Sequence, residues 1–366
     1  MIPIAKPYLD EEELKNIVRA VKSNWISSIG EFINEFENKF AKYCNRKYGI
    51  STSNGTTALH LALKALDIKE GDEVIVPDLT FISPANVVKY CNAKPILVDV
   101  NKDYWGIDPK RIEEKISQKT KAIILVHLYG HPCDINSIKK VAQKYNLKII
   151  EDAAEAHGAE YESKKVGSFG DISCFSFYGN KIITTGEGGI CLTDNKELAD
   201  KIRILRDHGK ETGTGGYYHS VVGFNYRMTN LQAAVGCAQL KKIDRILDRR
   251  RKIEEKYNNL LKEIEVGGKI TLIKKMPWAT NVCWLYSILI EDNSKHSRDE
   301  IIYELKQKGI ETRPFFIPLH LMPPHKSEES FLVSEELSKK GLNLPSSTDL
   351  KEEDIETICK EIKELL

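Results

Sequence analysis

The sequence predicts an α/β protein in which a mainly parallel sheet is wrapped by helices and followed by a smaller second lobe. Short apolar runs at 74–77, 95–100, 122–128, 147–151, 172–177 and 189–193 alternate with helical patterns, which is the rhythm of a parallel sheet built from crossover units. The chain's 366 residues exceed the ~250–300 at which a single core stops growing, so two lobes are expected. A long helical stretch from 231 to about 264 is placed to cross from one lobe to the other.

From the N-terminus, Asp10 can cap a helix with Glu13 completing a capping box, and Leu14, Ile17, Val18 and Val21 are expected to form its buried stripe. The turn Ser53-Asn54-Gly55-Thr56 is followed at helical spacing by Leu59, Ala62, Leu63 and Leu66, so a helix begins there with free amides and the positive end of its dipole. Such a start can bind phosphate. In the crossing helix, Arg249-Arg250-Arg251-Lys252 reads as a solvated face. No internal repeat or low-complexity segment interrupts the pattern.

A net charge of +1, from 54 basic and 53 acidic residues, gives no general attraction to nucleic acid or anionic membrane. Anionic ligands must therefore be held locally. No apolar run approaches the ~18–20 residues of a membrane span, and the first residues lack a signal peptide's features, so a cytoplasmic location is expected. The eight cysteines are scattered without a C-x-x-C spacing, several within apolar runs. Reduced, packed thiols are expected, and no metal site.

The chemistry centres on two residues. Lys181 follows a strand-like run and opens onto Thr185-Gly186-Glu187-Gly188-Gly189, where an amine can reach a cofactor aldehyde. Asp152 ends an earlier run, and a buried carboxylate there is what the ring nitrogen of pyridoxal 5'-phosphate (PLP) requires to stay protonated. Glu151 should point to the opposite side of the strand. Singly, each has a plain reading, a solvated lysine and a helix-capping aspartate; together they suggest a PLP enzyme. The turn at Gly55 and Thr56, with the hydroxyl of Ser176, supplies donors for the phosphate. His131 and His157 are read as packed or hydrogen-bonded side chains.

These segments, from Gly30-Glu31-Phe32 through Asp152-Ala153-Ala154-Glu155-Ala156-His157-Gly158 and Gly223-Phe224-Asn225-Tyr226-Arg227 to Arg313-Pro314-Phe315-Phe316, resemble in order the DegT/DnrJ/StrS family of sugar-nucleotide aminotransferases. The resemblance covers nearly the whole chain. Phe177-Tyr178-Gly179-Asn180-Lys181 and Tyr129-Gly130-His131-Pro132-Cys133-Asp134 are most similar to the perosamine-type branch. The resemblance implies the fold-type I architecture of PLP enzymes, with a large domain and N-terminal arm over 1–245 and a small α+β domain over 246–366.

It further implies that Lys181 holds the cofactor and then shuttles a proton, with Asp152 at the ring nitrogen. Gly55, Thr56 and Ser176 would bind the phosphate, and Asn225 would reach the phosphate in the partner subunit of a homodimer with shared sites. Phe81 would stack on the ring, with core packing as its equal alternative. Glu155 would face the phenolic oxygen, its protonation left open. Trp25, Ser27, Arg313 and His320 would touch the substrate.

The implied reaction passes the amino group of L-glutamate, through the pyridoxamine (PMP) form, to a nucleotide-linked 4-keto-6-deoxy sugar. GDP-4-keto-6-deoxymannose is expected first, with UDP- or dTDP-linked sugars as alternatives. Lys181 argues against the family's dehydratases, and Lys181 with Asp152 against a purely regulatory, PLP-binding role.

Overall fold

Seven strands form the central sheet of the computed structural model, which describes residues 1–211 and 217–366. They are β1 (Tyr48–Thr52), β2 (Glu73–Pro77), β3 (Lys94–Val98), β4 (Thr120–Val126), β5 (Lys148–Asp152), β6 (Ile172–Ser176) and β7 (Gly189–Thr193). Their order is β1-β7-β6-β5-β4-β2-β3, and only β7 runs against its neighbours. Six of these strands fall on the expected apolar runs. The edge strand β1 was not anticipated, because Tyr-Gly-Ile-Ser-Thr has little apolar content. Its Gly49 is required by close packing, since a Cβ there would lie 2.5 Å from the carbonyl oxygen of Glu37.

The helices are α1 (Glu11–Lys22), α2 (Glu31–Tyr43), α3 (Gly55–Ala65), α4 (Ser83–Tyr90), α5 (Ile135–Tyr145), α6 (Lys196–Arg206), α7 (Asn230–Lys241) and α8 (Ile243–Val266), then α9 (Arg298–Gln307), α10 (Leu332–Lys340) and α11 (Glu352–Leu365). The expected single crossing helix is two helices, broken at Lys242, whose amine bridges Asp10 and Glu13.

The capping box of Asp10 and Glu13 is present on α1, but the expected buried stripe is not. Leu14, Val18 and Val21 are 54%, 41% and 53% exposed, while Glu13, Asn16 and Ala20 face inward. Polar contacts fix this rotation. The Asn16 amide donates to Ala234 O at 3.0 Å, and Glu13 accepts from Gln239 Nε2 at 2.7 Å and pairs with Lys242. The apolar face thus turned outward continues into Trp25, Ile26 and Ile29, all exposed.

The arginine run also departs from its expected role. Arg250 is 2% exposed, and its guanidinium donates to the carbonyls of Cys283 and Trp284 at 3.2 and 2.9 Å. The cause is helical phase: Ile246, Arg250, Ile253, Tyr257 and Leu261 recur at spacings of three and four on the inward face of α8. The eight cysteines are buried free thiols.

The smaller lobe is an antiparallel sheet of β8 (Ile270–Leu272), β9 (Tyr286–Ile290), β10 (Arg313–Pro314) and β11 (Gly341–Leu344), ordered β8-β9-β11-β10. Tyr257, Ile288, Leu342 and Ile358 share its core with residues of α8, α9 and α11. The whole is the α/β, fold-type I architecture of PLP enzymes, with a smaller α+β unit.

Glu151 in β5 does point away from Asp152. Its buried carboxylate accepts from the amides of Gly167, Phe169 and Gly170, each at 2.7 Å, from Ser173 Oγ at 2.8 Å, and lies 3.3 Å from His127 Nε2. Burial opposes its ionisation, but the hydrogen bond and charge of His127, the nearby Arg46 and the Gly170 amide prevail and bring its pKa down to about 2. Glu151→Gln must turn an amide NH2 toward several donors. We expect a loss of roughly 3 kcal/mol in urea unfolding at pH 7. Because the depressed carboxylate stabilises the fold only above its unfolded pKa, the parent should lose that advantage as pH falls from about 4.5 to 2, narrowing the gap to the variant.

Candidate active site

The C-terminal ends of the parallel strands and the start of α3 form one face of the sheet's rim, the usual place for a ligand in such folds. Asp152 is the last residue of β5 and is buried. Among the described residues, the hydrogen bond its carboxylate accepts comes from Ala154 N at 3.1 Å. The chain after it turns rather than forming a helix, so Asp152 is not a helix cap. Burial pushes its carboxyl up to about 7, the charge of Glu155 adds to this, and the Ala154 amide and Lys181 act against it.

Glu155 is also buried, and its Oε2 accepts from Tyr129 N at 2.8 Å. Its Oε1 lies 3.4 Å from Lys181 Nζ. Desolvation raises its pKa, opposed by the lysine and the Tyr129 amide. Lys181 is held five residues past β6, with its side chain 12% exposed and its amine 3.9 Å from the ring centroid of Trp284. The trio therefore places two carboxylates and one amine in a site largely withdrawn from water, where burial raises both carboxyls, Lys181 opposes that rise in each, and Glu155 adds to it in Asp152.

Asn54 caps α3 and takes the Thr57 amide at 2.9 Å, leaving the first-turn amides of Gly55 and Thr56 without an intrahelical acceptor. A Cβ on Gly55 would lie 2.8 Å from Ser176 Cβ, so glycine lets the end of β6 meet the start of α3. Thr56 Oγ1 is 2.8 Å from Ser83 Oγ. This cradle of amides and hydroxyls suits a phosphate, the buried acid suits a protonated ring nitrogen, and the adjacent amine suits an aldehyde. The residues fit PLP.

Phe81 is 54% exposed, edge-on to Phe316 at 5.9 Å, so core packing does not account for it. Asn225 is exposed, on a segment whose Tyr226 carbonyl accepts from Ser53 N at 2.8 Å. Trp25 and Ser27 lie exposed between α1 and α2, their carbonyls held by Asn230. Arg313 is exposed beside Glu311.

His320 is placed differently from the sequence expectation of a substrate contact. It is 3% exposed, with Nδ1 2.7 Å from Asp78 Oδ2 and Nε2 3.3 Å from Glu335. Both ring nitrogens are engaged by carboxylates, and its role in the fold is to fasten the 313–320 segment to the end of β2. His157 and His131 are buried, and burial lowers their pKa values to about 3 and 4.

Three neighbours were not singled out from the sequence. Ser83 meets the Thr56 hydroxyl, Tyr129 holds Glu155, and Trp284 covers Lys181. Ser83 and Trp284 lie in stretches that read as ordinary helix and core. Tyr129 carried one local signal, its position before a glycine at the end of a strand; it adopts φ 51°.

The sequence profile of the DegT/DnrJ/EryC1/StrS aminotransferase family matches residues 7–363. The chain is 45% identical to the GDP-perosamine synthase of Caulobacter vibrioides, over 100% of this chain and 98% of that one. It is 44% identical to that of Escherichia coli O157:H7, over 99% and 98%. A sugar aminotransferase structure from Streptococcus pneumoniae, in its PMP form, superposes with a TM-score of 0.93 at 28% identity, covering 100% and 97% of the two chains.

The raised Asp152 pKa has a consequence for the cofactor-free protein. A carboxyl whose folded pKa lies above its unfolded value destabilises the fold as pH rises from about 4 through about 7. Asp152→Asn removes that penalty, so the cofactor-free variant should gain on the parent over this window, reaching a few kcal/mol, about 4 at most, by pH 8. Parallel denaturation curves at pH 4, 6 and 8 measure it.

Proposed function

The chain belongs to the DegT/DnrJ/EryC1/StrS aminotransferase family and is a PLP-dependent enzyme, and on that premise we propose that it transfers the amino group of L-glutamate to C4 of GDP-4-keto-6-deoxymannose, forming GDP-perosamine. The observation that carries the reading is the meeting of Lys181 with two buried carboxylates beside a helix start whose first amides are free. The full-length similarity to GDP-perosamine synthases supports the choice of sugar nucleotide.

When bound, the pyridoxal ring draws electron density from the carbon bearing the amino group and so stabilises the negative charge left by proton removal. The chain's residues do the rest. Asp152, ionised beside the ring nitrogen, would keep the nitrogen proton in place, and the cationic nitrogen would offset the burial that raises its carboxyl. Lys181, once free, would move a proton between the substrate carbon and the cofactor's aldehyde carbon, away from the donor carbon in the first half-reaction and toward the sugar carbon in the second. Gly55, Thr56 and Ser176 would grip the phosphate, Phe81 would flank the ring, and Glu155 would share a proton with the phenolic oxygen.

We assign the working unit as a homodimer. The outward apolar face of Leu14, Val18, Val21, Trp25, Ile26 and Ile29 is the kind of contiguous patch a second copy would cover, and exposed Asn225 would then reach the partner's phosphate cradle. Trp25, Ser27 and Arg313 are assigned to the substrate's side of the site. No helix among the described residues is long and apolar enough to cross a membrane, which accords with a cytoplasmic location.

Incubation of the PLP-loaded protein with glutamate and GDP-, UDP- or dTDP-linked 4-keto-6-deoxy sugars should give the 4-amino sugar fastest with the GDP substrate, followed by mass spectrometry. Lys181→Ala should give none. Preference for a UDP or dTDP substrate would reassign the sugar nucleotide while leaving the reaction intact.

Shared sites make a second prediction. Mixing inactive Lys181→Ala chains with inactive Asn225→Asp chains should restore activity at one site per mixed dimer. No recovery after demonstrated subunit exchange would refute sharing.

A further inference from the structure

Trp284 is held from four directions. Its indole N–H donates to Asn180 O at 2.7 Å, its amide donates to Tyr129 O at 3.2 Å, its carbonyl accepts from buried Arg250 at 2.9 Å, and its ring lies parallel to that of Tyr129 at 6.3 Å. Asn180 immediately precedes Lys181, so the indole that covers the amine also fixes the backbone from which the lysine projects. With Glu155 3.4 Å away and little of the side chain exposed, the amine of unbonded Lys181 has a π face on one side and a carboxylate on another.

We propose that Trp284 and Glu155 form a resting niche for the Lys181 amine, occupied when the lysine is neither bonded to the cofactor nor moving a proton to or from carbon, so that Trp284 governs how readily an incoming amine displaces it. The proposal rests on Lys181 being the point of cofactor attachment. Its physical basis is one of reference states. Contacts between an ammonium and an aromatic face exist only while the amine is free, so they favour the displaced state and are forfeited when the lysine bonds. Trp284 acts through Lys181 and is a positioning residue.

Methylamine, which carries no carboxylate or sugar, isolates the step. It reacts as methylammonium: its nitrogen bonds to the cofactor carbon as the carbon–nitrogen bond to Lys181 breaks, and two protons pass from the incoming to the departing nitrogen, which leaves Lys181 as the ammonium. The loaded protein is equilibrated with increasing methylamine and reduced with borohydride, and the fraction of Lys181 carrying the cofactor is read by peptide mapping. Trp284→Met and Trp284→Leu, which lack a π face, should need roughly tenfold more methylamine to free half of Lys181. Trp284→Phe, which keeps one, should stay within about threefold of the parent.

In a Lys181→Ala background, Trp284→Met should leave methylamine capture unchanged. The niche is refuted if the Met and Leu variants match the parent, if the same shift persists without Lys181, or if both variants fail to load cofactor while remaining folded by circular dichroism. Should the parent itself carry no cofactor on Lys181, the attachment on which the proposal rests fails too. A parent that is labelled at Lys181 but inactive on sugar nucleotides would overturn only the substrate assignment.

Discussion

Two consecutive carboxylates at the end of β5 face opposite sides of a sheet buried on both faces, and the site depends on their different surroundings. Glu151 meets three amides, a hydroxyl and a histidine, and stays ionised far below its usual range. Asp152 meets one amide and rises to about 7. The period of two along a strand puts adjacent residues in opposite environments. Glu151 fastens the 167–170 turn and thereby the entry to β6, from which the lysine segment departs. Asp152 is left with unmet capacity, which a protonated ring nitrogen would use. One acid stabilises the frame, and the other holds its charge in reserve.

The two lobes meet at this site through aromatic rings. Tyr129 stacks between Trp284 of the smaller lobe and Phe316 of the returning segment, at 6.3 and 5.6 Å, and Phe316 in turn lies edge-on to Phe81. The hydroxyl of Tyr129 accepts from Phe316 N at 3.2 Å, while its own amide serves Glu155. A single residue in a left-handed conformation thus joins the carboxylate beside the lysine to the segment that closes over the strand ends. The buried pair of Asp78 and His320 ties down the other end of that segment. The side chains are consequently closely packed around Lys181 and exposed at Phe81.

A different balance sets the surface. In α1, two polar residues found partners inside the fold and so determined which way the helix rolled, against its apolar stripe. Burying Glu13 and Asn16 is tolerable because each is hydrogen-bonded or ion-paired, and the hydrophobic residues displaced outward can still be covered by association.

The local chemistry of this protein was legible in its sequence: the alternation of apolar runs, the capping residue Asp10, the helix start at the turn of Gly55 and Thr56, the opposed faces of Glu151 and Asp152, and the glycine-rich context of Lys181 are all short-range features fixed by backbone geometry and side-chain type. Edge strand β1 escaped because its residues satisfy no simple period, and Arg250 escaped because a charge run reads as solvated until the phase of its helix against a neighbour is known. Tyr129 and Trp284, from sites more than a hundred residues apart, converge on Lys181 only after both lobes have packed. His320 is diverted into an ion pair with Asp78 for the same reason. A sequence specifies what each side chain can do, but which partners it meets is decided by long-range packing, and buried electrostatics depend on those partners.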